Sequence, residues 1–223
     1  MTGVSSGPRR AWLWRMPLVV VLVLAGFMLL WRLAPPVSTL MLARWLAGAP
    51  VERQWVRLEH ISPQLVRAVI ASEDSRFCQH WGVDWRSLIE VIDAQGGPSR
   101  GASTLTMQTA KNLFLWHGRS YVRKALEIPL AMMLGLVWPR RHVLEVYLNI
   151  AEWGDGIFGA EAAARRYFGK SAAALTAAEA ALLATALPNP LVRAPARPGR
   201  GHKRLAGIIA QRAAQHPEIV SCL

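Results

Sequence analysis

With 223 residues, 52 % hydrophobic and 18 % charged, the chain has material for one packed domain plus a short appendage, which excludes a disordered chain. Its 26 Lys and Arg against 14 Asp and Glu give a formal charge of +12. That excess suits an anionic partner and leaves nucleic acid, acidic lipid headgroups and a diphosphate all open. Cys78 and Cys222 stand far apart without a framework pattern, so they are expected to be unpaired, although an oxidising compartment would permit a bridge.

Residues 1–15 read as a short basic tail carrying Arg9, Arg10 and Arg15, and residues 16–34 as a transmembrane anchor. Met16 to Trp31 is a run of sixteen residues without a charge, slightly short of the roughly 20 a span needs. Arg15 and Arg32 can snorkel, Leu33 and Ala34 prolong the run, and Trp12, Trp14 and Trp31 sit where interfacial aromatics belong. The basic residues ahead of the run place the N-terminus in the cytoplasm and everything after Pro35 outside the cytoplasmic membrane. A cleaved signal peptide is the competing reading, but Pro35-Pro36 makes a poor cleavage site. Residues 35–50 are then a linker or a first juxtamembrane helix, and 51–215 the globular domain.

That domain reads as mainly α. Ser62-Pro63 opens a helix, with serine as cap, proline at the first position, and Ile61 and Val66 at staple positions. Leu65, Val66, Val69 and Ile70 form its buried stripe, and Glu73 and Asp74 arrive at its C-terminal end. A second helix runs from about Asp84 to Ala94 before the Gly96-Gly97-Pro98 break, with Leu88, Ile89, Val91 and Ile92 facing either a membrane or the core. A third spans Ser103 to Leu115, a fourth Ser120 to Trp138, and a fifth runs from Pro139 through Ile150. After the Gly154-Asp155-Gly156 turn come alanine-rich helices over Ala160 to Phe168 and Thr176 to Leu187, the second opened by a Thr176/Glu179 capping box.

Four stretches carry chemistry. In ASEDSRFCQHWGVDW, Ala71 to Trp85, a carboxylate pair is followed by aromatics, a histidine and a glycine. Partial desolvation there would raise one carboxyl pKa toward a general base, whereas the bland reading is a solvated helix end. In Arg100 to Leu115, Thr104, Gln108 and Lys111 follow one another along a helix face, either as an anion-binding stripe or as an ordinary polar surface. Arg123 and Lys124 lie one turn before Glu127, which gives a plain ion pair or a cationic site around a phosphorylated ligand. In Arg140 to Gly154, Glu145, Tyr147 and Asn149 look structural, because Val143, Leu144, Tyr147 and Ala151 make a core stripe.

In this order the stretches resemble the peptidoglycan glycosyltransferases of family 51. The pattern E-D-x-x-F-x-x-H-x-G-x-D falls on Glu73, Asp74, Phe77, His80, Gly82 and Asp84, and G-x-S-T-x-x-x-Q-x-x-K-N-x-F on Gly101, Ser103, Thr104, Gln108, Lys111, Asn112 and Phe114. R-K-x-x-E falls on Arg123, Lys124 and Glu127, and L-E-x-Y-L-N on Leu144, Glu145, Tyr147, Leu148 and Asn149. The Ile150 to Gly159 run, together with no S-x-x-K or K-T-G, makes the chain most similar to the monofunctional biosynthetic members. Ala102 departs from the second glycine of the bifunctional relatives, which is expected to adjust a loop.

The resemblance implies a lysozyme-like helical glycosyltransferase domain behind the anchor, acting on lipid II and a lipid-linked glycan chain. It implies Glu73 as general base and Glu127 as a second catalytic carboxylate that orients the cations or helps hold a divalent ion (Mg or Mn) at the pyrophosphate. Asp74, Ser103, Thr104, Gln108, Lys111, Asn112, Arg123 and Lys124 are then substrate-binding. Membrane lipids and other cell-wall synthesis proteins are the expected partners, and export removes nucleic acid. Two rival readings are a lytic transglycosylase and a non-catalytic, membrane-anchored cell-wall scaffold.

Overall fold

The structure, a computed structural model, describes residues 8–93, 103–118 and 120–223, with backbone alone at 8–14 and 92. Arg100, Gly101, Ala102, Arg119 and the Gly96-Gly97-Pro98 break lie outside the described residues. The chain divides into two compact units, Met1–Pro35 and Pro36–Leu223. The first holds α1 (Pro8–Leu30), whose side chains from Met16 to Leu30 are apolar and mostly exposed. Among the described residues, no helix is long and apolar enough to cross a membrane.

The second unit is mainly helical. In chain order it contains α2 (Thr39–Leu46), β1 (Glu52–Arg53), α3 (Pro63–Glu73), α4 (Trp85–Ile92), α5 (Leu105–Phe114), α6 (Tyr121–Val137) and α7 (Arg140–Ile150). β2 (Glu152–Gly154), β3 (Ile157–Phe158), α8 (Ala160–Phe168), α9 (Ala177–Ala186) and α10 (Arg200–Gln215) follow. Short 3-10 turns at Leu58–His60, Phe77–Gln79, Ala172–Ala174 and Pro217–Val220 complete it.

Two helical layers meet at the site. α3 packs on α9 and α10, while α5 packs on α6 and α7. α3 starts where its local sequence directs: Ser62 Oγ accepts from the Gln64 N–H at 3.3 Å and donates to the Leu175 carbonyl at 2.9 Å. That second bond ties the start of α3 to the segment leading into α9. α9 opens with the Thr176/Glu179 capping box, and its small buried residues Ala180, Ala181 and Ala184 let neighbouring helices approach closely. α5 is nearly enclosed, with Leu105, Met107, Ala110 and Leu113 all buried.

α7 explains the L-E-x-Y-L-N block. The Asn149 side-chain amide pairs with the backbone of Val56, accepting from its N–H at 2.9 Å and donating to its carbonyl at 2.8 Å. Glu145 accepts from the Leu58 N–H at 2.8 Å. Both polar side chains thus fasten an irregular segment whose backbone groups would otherwise lack partners.

Several features differ from the sequence expectation. The 152–159 turn region joins β1 in a small sheet of order β1-β3-β2, with β1 parallel and β2 antiparallel to β3. Strands of two or three residues are too short to show an alternating pattern. α2 realises the helical alternative for residues 35–50, with Ser38 as its cap. On α4, neither Leu88 nor Val91 is buried and Ile89 is 56 % exposed, so these side chains are not core. The expectation of unpaired cysteines is overturned: Cys78 and Cys222 form a disulfide, with Cα atoms 5.4 Å apart across a sequence separation of 144. The fold brings the 3-10 turn after Glu73 against the C-terminal 3-10 turn, a juxtaposition that cysteine spacing cannot reveal.

Candidate active site

Glu73 is the last residue of α3, and Asp74 terminates the helix by donating its N–H to the Ile70 carbonyl at 2.9 Å. The two neighbouring carboxylates then part company. Asp74 Oδ2 accepts the N–H of Leu105, the first residue of α5, at 2.9 Å, and Oδ1 lies 2.9 Å from His80 Nε2. Asp74 therefore joins the end of α3 to the start of α5, where a helix N-terminus favours negative charge. Glu73 is instead held by Gln108 on α5, whose Nε2 donates to its Oε2 at 2.9 Å, and by the Ser72 hydroxyl at 3.3 Å. Gln108 Oε1 in turn receives the Tyr147 hydroxyl of α7 at 3.1 Å.

The loop behind this pair is braced by backbone contacts. Gly82 adopts φ +89°, and a Cβ there would collide with the Ala131 carbonyl of α6, so only glycine lets the loop lie against that helix. Thr104 caps α5 by accepting from the Met107 N–H at 3.1 Å, and donates to the Gly82 carbonyl at 2.5 Å. Arg140 reaches the His80 carbonyl at 2.9 Å and covers the Trp81 ring at 4.2 Å. Asp84 caps α4 through the Ser87 N–H at 3.1 Å, and Phe77 is buried edge-on to His80.

Three cations stand close by. Glu127, 2 % exposed, is paired with Arg123 through one oxygen and with Lys124 at 2.8 Å through the other. Lys124 also donates to Ser103 Oγ at 2.8 Å. Lys111, one turn beyond Gln108 on α5, makes no hydrogen bond or ion pair among the described residues. It lines a cavity of about 260 Å³ together with Gln108, Asn112, His117 and Tyr147. A second cavity, about 190 Å³, is walled by Glu73, Ser103, Thr104, Arg76 and Arg212 among others. The Glu73–Gln108 hydrogen bond thus links the wall of one cavity to the wall of the other.

The electrostatics follow from this packing. Burial raises the Glu73 pKa, and the Asp74 charge adds to the rise, while hydrogen bonds from Gln108 and Ser72 and the charge of Lys111 hold it back. Burial and the neighbouring Arg123 lower the Lys111 pKa, with Glu73 pulling the other way. Lys124 is brought down to about 8 by burial, Arg123 and Lys111. His117 is brought down to about 4 by burial and by Lys111 and Arg123, so its imidazole is neutral at pH 7. A buried carboxylate at one cavity and an ammonium at the other, linked through the Glu73–Gln108 bond, suit deprotonation of an alcohol near a departing anion.

A divalent ion does not fit the groups present. Both Glu127 oxygens are engaged by cations, and a metal there would have to displace Arg123 or Lys124. Among the described residues, no three His, Cys, Asp or Glu side chains are grouped to hold a metal ion.

Residues 40–213 match the model of the Transglycosylase family. The chain belongs to that family. It is 54 % identical over 211 residues to the biosynthetic peptidoglycan transglycosylase of Brucella melitensis biotype 1 (92 % of this chain and 94 % of the relative). The protein of the same name from Rhodopseudomonas palustris (strain TIE-1) is 53 % identical over 217 residues, 94 % and 92 % of the two chains. The one from Rhizobium meliloti (strain 1021) is 48 % identical over 231 residues, 99 % and 98 % of the two chains. In this transglycosylase-family chain, the sequence-derived residues Glu73, Gln108, Lys111, Arg123, Lys124, Glu127 and Ser103 come together through the bonds, charges and cavity walls above, with Asn112 beside Lys111. Asp74 and Thr104 lie beside them, with their side chains engaged within the protein. Tyr147 and His117 also wall the site and carried no site assignment from sequence. The apolar spacing of α7 makes Tyr147 read as core, and His117 stands alone in a loop.

Proposed function

We propose that the chain is a peptidoglycan glycosyltransferase that polymerises lipid II into β-1,4-linked glycan strands and releases undecaprenyl pyrophosphate. The observation that carries this reading is the Lys111 ammonium, unpaired among the described residues and lining a cavity beside the Glu73–Gln108 pair. An enzyme that cleaves glycan by protonating a neutral sugar leaving group has no use for such a cation. One that expels a diphosphate does.

In the proposed step, Glu73 takes the proton from the 4-hydroxyl of the acceptor sugar. The oxygen forms a bond to the anomeric carbon of the donor, with inversion. The bond from that carbon to the diphosphate oxygen breaks, and its electron pair leaves with the lipid diphosphate. Lys111, Arg123 and Lys124 face the developing charge, and Glu127 keeps the last two in place. Ser103 supplies a polar contact, Gln108 holds the Glu73 carboxylate, and Asp74 and Thr104 fix the segments around it.

The same reading places the enzyme in the cytoplasmic membrane, with its catalytic unit outside. The uncharged run from Met16 to Trp31, with Arg15 and Arg32 able to snorkel at its ends, supports an anchor. Exposed apolar side chains on the catalytic unit, including Trp85 and Ile89 on α4 and Val122 and Leu136 on α6, are consistent with work at a lipid surface. Purified full-length protein incubated with lipid II in detergent or vesicles should yield lysozyme-sensitive polymer and free lipid diphosphate. Soluble muropeptides released from purified sacculi, with no polymer, would instead indicate a lytic enzyme. Wall binding without turnover would indicate a scaffold. Extraction of the native protein by alkaline carbonate, without detergent, would refute the anchor.

A further inference from the structure

A buried hydroxyl has to direct its hydrogen at something. Tyr147 is 1 % exposed, and its hydroxyl meets Gln108 Oε1 at 3.1 Å. Among the described residues it has no other hydrogen-bond partner. Burial and the charge of Glu73 push the phenol pKa well above its ordinary value, so the hydroxyl keeps its proton and remains a donor throughout the working range. Gln108 Nε2 then donates to Glu73 Oε2 at 2.9 Å.

An amide has a donor end and an acceptor end, and only one orientation satisfies this chain. Reversed, the Gln108 carbonyl oxygen would face the Glu73 carboxylate, acceptor against acceptor. Its NH2 group would then approach a hydroxyl whose own hydrogen had lost its acceptor. Leaving a buried donor unmatched is the costlier arrangement. We propose that Tyr147 is a positioning residue for glycosyl transfer: its hydroxyl locks the Gln108 amide in the orientation that donates to the Glu73 carboxylate. This rests on the reading of Glu73 as the base. The lock favours ionised Glu73 over the protonated form, against the desolvation that opposes it.

The other charged groups that face Glu73 are Lys111 on α5, which lowers its pKa, and Asp74 beside it, which raises it. Neither is altered by Tyr147→Phe, which removes one oxygen and keeps the ring in the core. In that variant the amide is free to reverse, and a hydrogen bond to a charged group is lost for part of the time. The acid limb of kcat/KM for lipid II polymerisation should move up by about one pH unit. KM should stay within about twofold and the melting temperature should change little, which separates the lock from a packing role.

Gln108→Ala should move the limb the same way without touching the Tyr147 ring. On that background, adding Tyr147→Phe should shift it no further, because the lock has nothing left to hold. An unmoved limb in Tyr147→Phe, or an equal further shift on the Gln108→Ala background, overturns the proposal. Glu73→Gln in the same assay separates the two ideas. If it is inactive, an unmoved limb rejects the lock alone. If it is active, the base reading and the lock fall together.

Discussion

Replacing Glu73 with Gln should lower kcat by about 10²- to 10⁴-fold, the usual contribution of a general base, and leave the fold intact. The amide keeps the size of the carboxylate and can still bond Gln108 and Ser72, so packing at the end of α3 is preserved. What it removes is a buried proton acceptor with a raised pKa at a cavity wall. Asp74 cannot substitute, since its oxygens already hold His80 and the Leu105 N–H. More than a tenth of wild-type turnover in the variant would take Glu73 out of the base role. In the wild type, the direction of the Glu73 shift sets the pH dependence: the charged base is lost on acidification at a pH above the ordinary glutamate range. On the alkaline side, Lys124 loses its proton as pH rises through about 8, which weakens the cationic wall and closes the profile.

Glu127→Gln should be the most damaging change to stability in the site. The carboxylate is 2 % exposed and is shared by Arg123 and Lys124, whose side chains are 12 % and 40 % exposed. Removing it leaves two neighbouring cations without their common counter-ion. Breaking a buried pair this way costs about 3–5 kcal/mol, and the partial exposure of Lys124 points to the low end. For a chain of this size, about 3 kcal/mol corresponds to a fall of roughly 6–12 °C in the melting temperature. Thermal unfolding followed by circular dichroism checks this. A melting temperature unchanged from wild type would mean that Glu127 does not hold the cluster together. Polymerisation should fall as well, because Arg123 and Lys124 lose the group that aims them.

These two residues also illustrate what the sequence discloses and what it withholds. Local signals were legible. Ser62-Pro63, Ser120 and the Thr176/Glu179 box mark helix starts, and the i,i+3 and i,i+4 spacing of Lys124 and Arg123 to Glu127 already implies their pairing. The order of motifs gathered most of the site. Whatever depends on contacts distant in the chain was not legible. Asp74 reads like a twin of Glu73, yet it accepts the first N–H of a helix 31 residues away while Glu73 is held by Gln108 in the middle of that helix. The hydroxyl of Tyr147 finds its partner 39 residues earlier, so the residue passes for plain core. α10 is hard to read because Gly201 and Gly207 interrupt it and its buried side is only Ala206, Ile209 and Ala213. The Cys78–Cys222 bridge and the two-residue strands leave no local pattern at all.

The proposed mechanism divides labour between two linked cavity walls, with Glu73 activating an alcohol and Lys111 receiving a diphosphate. The most direct test measures lipid II affinity and turnover together for Glu73→Gln and Lys111→Met. Glu73→Gln should bind lipid II within about threefold of wild type and scarcely turn over, whereas Lys111→Met should lose about tenfold or more in affinity, a deficit of about 1.4 kcal/mol. Equal losses of affinity in both variants, or full affinity and turnover in Lys111→Met, would contradict it.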